Sequence, residues 1–446
     1  MKQRTQRDLP PAALKLSTTR TPTPVDEATS TINHADTMSE SPAPPALPTR
    51  GRWARWAGVF GPAFVISMAY VDPGNFATNT AAGATYGYLL LWVVAAANIM
   101  AMFVQYLSAK LGVVTGRSLA DQCRLRCPRS VRYVLWAQAE AVAIATDLAE
   151  LIGGAIALNL LFGVPLVPGV CITAAVAMLL LTLAPRGRHR FETAMAGMLL
   201  VILAGFLYQA LGAGLTTRAA SGFVPQFSGD DSLLLATGII GATVMPHVIY
   251  LHSALTRAPG TSPRKALRRG RREITGALAC AGIANMAMLV VAASVFHDKA
   301  HVNVSTLQEA HQGLHTYVGP AVAAAFALTL LASGLASSSV GTYAGQVVME
   351  GFLQRRIPLA IRRGATLIPA LALLLAGLEP TRALIFSQVV LSFGIPFALI
   401  PLIILTSRRS IMGSLVNHPL TVVAAVAVAA LISILNLYLL ARPFLD

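Results

Sequence analysis

The apolar positions of this chain gather into long runs rather than into the stripes that mark half-buried helices or strands. Eleven runs can be drawn, near residues 58–80, 87–112, 132–162, 168–184, 191–213, 232–255, 275–297, 318–350, 358–378, 383–406 and 419–441. A helix needs about 20 apolar residues to cross a bilayer, and longer runs tilt or project beyond it. The pattern predicts an all-α integral membrane protein with 11 transmembrane helices. Two runs are interrupted. The first carries Asp72-Pro73-Gly74-Asn75, and the sixth carries Met245-Pro246-His247. Proline removes a backbone donor, glycine weakens a helix interior, and a charge at bilayer depth costs roughly 2.5–3.5 kcal/mol on insertion scales. Helices 1 and 6 should therefore be broken. Interruptions five runs apart predict two five-helix repeats of opposite orientation, about 58–213 and about 232–406, with an extra helix at 419–441.

Composition sharpens this reading. Of 446 residues, 55% are hydrophobic and only 12% charged, against about 25% charged in soluble domains. Residues 1–50 are rich in Pro, Thr, Ser and Arg and read as a disordered cytoplasmic tail, leaving 51–446 as a single transmembrane domain. No apolar segment follows the first basic residues, so no signal peptide is expected. The net charge of +15 would suggest nucleic acid if it lay on one soluble face, but it sits between the apolar runs. With the amino terminus cytoplasmic, Lys and Arg should fill the tail and every second loop. Thirty of the 34 do so, and only Arg218, Lys299, Arg382 and Arg442 fall on the other side. That places the carboxyl terminus outside the cell, in a multi-pass protein of the inner membrane.

The two breaks concentrate the chemistry. If they meet near the midplane, they offer the Asp72 carboxylate, the Asn75 amide oxygen, the Met245 thioether and freed carbonyls around Ala242. Oxygen ligands alone suit Mg, Ca and Mn, whereas a thioether selects softer transition metals. In the third run, Glu140, Asp147 and Glu150 share one helical face, where they either form structural ion pairs or pass protons. Their candidate partners are His247, His252, Arg362 and Arg363. Gln388 in the tenth run is either interhelical glue or a direct or water-mediated ligand. The run from Ser337 to Gln346 reads as close helix packing. His297, His301, His311 and His315 read as solvent-exposed loop residues. Cys123 and Cys127 share a basic loop, without a further ligand to complete a zinc site.

Assembled, these motifs resemble the natural resistance-associated macrophage protein (NRAMP) family, and among it the bacterial proton-dependent manganese transporters. The resemblance spans roughly residues 55 to 440 and rests on Asp72-Pro73-Gly74-Asn75, on Met245-Pro246-His247 with Tyr250-Leu251-His252-Ser253, on Gly341 to Gln346 and on Ser387 to Phe393. It implies an inverted-repeat fold of the LeuT type that imports Mn²⁺, and also Fe²⁺ and Cd²⁺, together with protons. It implies metal ligation by Asp72, Asn75, Met245 and the Ala242 carbonyl, with Gln388 joining in some states. It assigns the proton path to Glu150, Asp147 and His247, with Arg362 and Arg363 further along and His252 also linked to coupling. Two positions depart from many members: Val248 follows the MPH triplet, and Leu335 replaces a glutamine in the eighth span. The alternative is an organic-solute symporter of the same broken-helix fold. The expected partners are a divalent transition metal, protons and the lipid bilayer. Neither a resident cofactor nor an enzymatic activity is expected, because no H-E-x-x-H or nucleophile–base spacing occurs.

Overall fold

In the computed structural model, which describes residues 61–182, 188–214, 217–257, 262–297 and 304–441, the first run folds as two half-helices. Helix α1 (Pro62–Ala69) stops before Tyr70 and Val71, and α2 (Pro73–Tyr86) restarts immediately after Asp72. Asp72 is the N-cap of α2, and Pro73 sits at its first position, where a missing N–H costs nothing. The residues that read as breakers in sequence thus restart the helix, and the unwound pair lies just before them. The chain continues through α3 (Leu91–Thr115), α4 (Leu119–Arg126), α5 (Arg129–Phe162), α6 (Leu166–Leu181) and α7 (Arg188–Ala213).

The second half repeats the device. Helix α8 (Gly229–Thr243) ends before Val244, Met245 is the N-cap of α9 (Pro246–Leu255), and Pro246 again takes the first position. Then follow α10 (Pro263–Ala292), α11 (Leu307–Tyr317), α12 (Pro320–Leu353), α13 (Leu359–Leu375), α14 (Pro380–Thr406), α15 (Arg409–Met412) and α16 (Pro419–Ala441). Among the described residues, eight helical segments are long and apolar enough to span a bilayer, the α8–α9 pair counting as one. The other three expected crossings are the broken α1–α2 pair, the 16-residue α6 and the 17-residue α13.

Three helical stretches exceed the sequence reading. Helix α10 begins at Pro263 and carries Arg264 to Arg272, read in sequence as a loop. Arg and Lys are good helix formers, and the basic stretch needs no apolar face because it projects beyond the span. Helix α4 is nucleated by a capping box in which Ser118 and Asp121 each bond the other's backbone. Helix α11 has the same device from Thr306 and Glu309, so His311 and His315 lie on a helix rather than in a loop. The tail 1–50, together with Arg186, Lys299, His301 and Arg442, lies outside the described residues.

The core of the bundle is the pairing of α5 with α12, the longest helix interface in the molecule. It is close because glycine faces glycine: a β-carbon on Gly334 would come within 2.8 Å of the Gly154 backbone nitrogen. Helix α16 lies outermost, burying only Ala425, Ala429, Ile432 and Asn436. Asn436 fastens it to Ser392 of α14 through two hydrogen bonds. Its outward Leu420, Val423 and Leu437 are exposed as a lipid-facing surface would be.

Candidate functional site

Unwound backbone inside a membrane survives only if neighbours satisfy it. At the first break, Asn285 of α10 donates its amide to the Tyr70 carbonyl at 2.7 Å, and the Ser333 hydroxyl of α12 donates to the Val71 carbonyl. At the second, the Ala242 carbonyl accepts from the side-chain amide of Asn75 at 3.0 Å. The two breaks therefore touch directly. Asn75 also donates to Asp72 Oδ1 from its side chain at 2.6 Å, and Thr243 Oγ1 lies 3.5 Å from Asn75 Oδ1. The amide nitrogen of Asn75 stands between a carboxylate oxygen and a carbonyl oxygen, two acceptors that repel each other unless something positive separates them.

Gln388 of α14 closes the same region from a third side. A β-carbon on Gly74 would fall 1.9 Å from Gln388 Nε2, and one on Gly241 would fall 2.0 Å from the Gln388 carbonyl oxygen. Glycine at each break is what lets α14 approach. Asp72, Asn75, Ala242, Met245 and Gln388 are all fully buried. Asp72 Oδ2 and Gln388 Oε1 are buried acceptors without a hydrogen-bond partner among the described residues. Orphaned buried acceptors are rare, and two on one site call for a cation or a proton.

The carboxylates of α5 form a ladder. Glu140 to Glu150 spans about 15 Å at 1.5 Å per residue, half the hydrocarbon thickness. At its outer end Glu140 pairs with Arg362 Nη1 at 2.7 Å. In the middle Asp147 pairs with Arg363 Nη1, which also donates to Ser338 Oγ at 2.9 Å, while Ser338 donates to Asp147 at 3.1 Å. Helix α13 is short and carries both arginines, buried, in its opening turns. At the inner end neither oxygen of Glu150 has a hydrogen-bond partner among the described residues. One turn further along α5, a β-carbon on Gly153 would collide with the Pro73 ring, so this end of the ladder abuts the first break.

His247 joins this ladder, with Nδ1 3.4 Å from Thr146 Oγ1 and Nε2 buried without a hydrogen-bond partner among the described residues. His252 faces another wall: its Nδ1 pairs at 2.8 Å with Gln105 Oε1 of α3, and Gln105 donates to the Tyr70 hydroxyl at 2.7 Å. This link runs to α3 and, through Gln105, to Tyr70 at the end of α1, whereas the sequence had offered the α5 carboxylates as partners. The Ser337 to Gln346 run does more than pack. Ser338 enters the ion network, Gly341 makes room for Glu150, and Gly345 makes room for Arg362.

Sequence reading missed Ser333 and Asn285, which hold the broken backbone, and Thr146 and Gln105, which hold the histidines. Asn285 and Gln105 were detectable on the same ground as Gln388, as lone amides in apolar runs. The serine and threonines carried no such signal, because these residues also bond back to their own helix, as Thr146 does to Val142.

The chain is similar to known proteins over most of its length. The sequence is 48% identical over 386 residues to the divalent metal cation transporter MntH of Deinococcus radiodurans, covering 85% of this chain and 88% of that one. It is 49% identical over 390 residues to the protein of the same name from Mycobacterium tuberculosis, covering 86% and 91%. A crystal structure of a mutant Eremococcus coleocola manganese transporter superposes with a TM-score of 0.78 at 31% identity, covering 89% of each chain. The nucleobase-cation symporter Mhp1 superposes at a TM-score of 0.52 with 12% identity, a likeness of fold alone, covering 86% of this chain and 93% of that one. Residues 63–442 match the natural resistance-associated macrophage protein-like (Nramp) family, and the chain belongs to it.

Proposed function

We propose that the protein is a proton-coupled symporter that brings divalent transition metals, Mn²⁺ foremost, across the inner membrane into the cell. The observation that carries this is the bridging amide of Asn75, lodged between Asp72 Oδ1 and the Ala242 carbonyl where the two broken helices meet. A divalent cation entering there replaces the amide nitrogen as the positive partner of both oxygens. The Asn75 amide turns over to present its oxygen, and Gln388 Oε1 and the Met245 sulfur complete the set. A donor set of carboxylate, amide, carbonyl and thioether favours Mn²⁺, Fe²⁺ and Cd²⁺ over Ca²⁺ and Mg²⁺. The names of these similar transporters support metal as cargo.

The proton takes a separate route in this reading. Loading the metal on Asp72 expels its proton toward Glu150, the unpartnered carboxylate beside the break. From there it passes along Asp147 with Arg363, then Glu140 with Arg362, with His247 as a side station and His252 acting through Gln105 on α1. The chain crosses the membrane eleven times, with a cytoplasmic amino terminus and an external carboxyl terminus. Its repeats run over about 58–213 and 232–406, the extra helix being 419–441.

The deciding experiment is uptake into proteoliposomes with and without an inward proton gradient. Wild-type protein should accumulate Mn²⁺ and acidify the lumen, and Asp72→Ala should do neither while still inserting. Wild-type uptake by Asp72→Ala would remove the site.

A further inference from the structure

The face of the molecule that carries the arginine-rich connections holds a second, unrelated cavity. It has a volume of about 390 Å³ and lies where the end of α12 meets α4 and the first turns of α5. Arg124, Arg132, Tyr133, Trp136, Gln354 and Arg355 line it, with Phe352 and Leu353 at its apolar side. Two donors on its α5 wall, Arg132 Nε and Trp136 Nε1, are buried without a hydrogen-bond partner among the described residues. A buried donor left bare is costly, and two on one wall beside the guanidinium groups of Arg124 and Arg355 define a recess that demands acceptors.

The surrounding protein supplies few. Arg124 spends its Nε on the Gly351 carbonyl at 2.8 Å and lies 3.7 Å from Asp121, the only acid paired with a lining arginine among the described residues. Arg132 stands 5.0 Å from the centre of the Tyr133 ring, which fixes its plane. Gln354, the one non-glycine residue with positive φ (56°) among the described residues, ends α12 at the cavity rim. Planar guanidinium groups and an indole N–H are the donors that grip tetrahedral oxyanions. Basic recesses between spans on the cytoplasmic side suit phospholipid headgroups, and Trp belongs at that interface.

We infer that this cavity is a binding site for a phosphate group, either the headgroup of an anionic phospholipid or a free phosphate. It shares no residue with the transport site, although Trp136 lies one helical turn from Glu140, the outer rung of the ladder.

The test compares wild type with Arg132→Gln/Arg355→Gln in two arms. In the first, each protein is taken from nanodiscs of mixed phosphatidylcholine and phosphatidylglycerol, and the retained lipid is counted by native mass spectrometry. In the second, each is titrated with inorganic phosphate in neutral detergent and the shift in Tm is followed. At least tenfold less retained phosphatidylglycerol in the variant, with phosphatidylcholine unchanged, establishes a lipid site. A saturable phosphate shift present only in wild type establishes a free-anion site. Indistinguishable behaviour of the two proteins in both arms overturns the proposal. Folding is checked by Mn²⁺ uptake from vesicles of phosphatidylcholine alone, where the two should match. Should the double variant fold poorly, Arg355→Gln at its exposed position carries the same comparison, with a threefold loss expected and no loss overturning the site.

Discussion

Asn75 donates to Asp72 twice, from its backbone N–H at 2.9 Å and from its side-chain amide at 2.6 Å. The first bond caps a helix and, in the proposed mechanism, the second stands where the cation would bind, so one residue ties folding of the break to the proposed chemistry. Asp72→Asn keeps a capping oxygen, and the helix should restart as before. It removes the charge, and a charge-assisted contact is worth about 1.5–3 kcal/mol. Mn²⁺ affinity measured by calorimetry should fall at least about tenfold, with unchanged circular dichroism.

Met245 occupies the N-cap of α9 and is fully buried. Met245→Ala removes the one soft donor while leaving the oxygens in place. Mn²⁺ uptake should persist in part, and Ca²⁺ should compete weakly against the wild type but effectively against the variant. Uptake of labelled Mn²⁺ against rising Ca²⁺ reads this directly.

Glu150 and Asp147 lie one turn apart but in opposite circumstances, the first bare and the second locked to Arg363 and Ser338. Glu150→Gln takes away an unpaired acid, so stability should hold while metal-evoked proton entry, followed with a pH dye, is lost. Asp147→Ala strands the Arg363 guanidinium in the core, a loss of about 3–5 kcal/mol. Its Tm in detergent should drop sharply, and the drop should shrink when Arg363→Met is added.

Gly345 leaves the space that Arg362 fills, since a β-carbon there would come 1.6 Å from Arg362 Nη2. The obstructed group is a buried guanidinium paired with Glu140, so Gly345→Ala must push it off that partner and should lower Tm measurably. Mn²⁺ binding should survive, and its dependence on an imposed pH gradient should weaken.

Outside the spans, Cys127 at the end of α4 is lowered to about 6. A hydrogen bond from the Cys123 thiol does most of this, burial opposes it, and Arg408 assists. The same hydrogen bond, with burial, pushes Cys123 well above its usual range. The thiolate forms as pH rises through the lowered value, so maleimide labelling of Cys127 should climb around pH 6 and level off above it. Cys127→Ser should abolish that labelling rather than transfer it to Cys123.

Much of this was legible from residue order because the bilayer imposes a strong rule. A carboxylate, a proline and an amide in one apolar run have few tolerable arrangements, and Asp72 with Asn75 was visible on that ground alone. Pro246 marked the second break equally well. The partners that make the breaks affordable were not visible. Ser333 and Ser338 differ in sequence from the other serines of the apolar runs by nothing, and only the register of α12 against α5 and α1 singles them out. The helical basic stretch of α10 was hidden for the opposite reason, since charge-rich helices beyond the membrane leave no apolar signature.

The bend at Tyr70 and Val71 is held by two side chains, Asn285 and Ser333, from two different helices. Re-angling α1 against α2 therefore breaks about two hydrogen bonds near 1 kcal/mol each, and no helical turn has to melt. A difference of about 2 kcal/mol corresponds to a ratio of roughly thirty to one, within what differential binding of a cargo can overturn. A joint this soft between stiff rods lets thermal motion alone supply the swing, and cargo has only to favour one end of it.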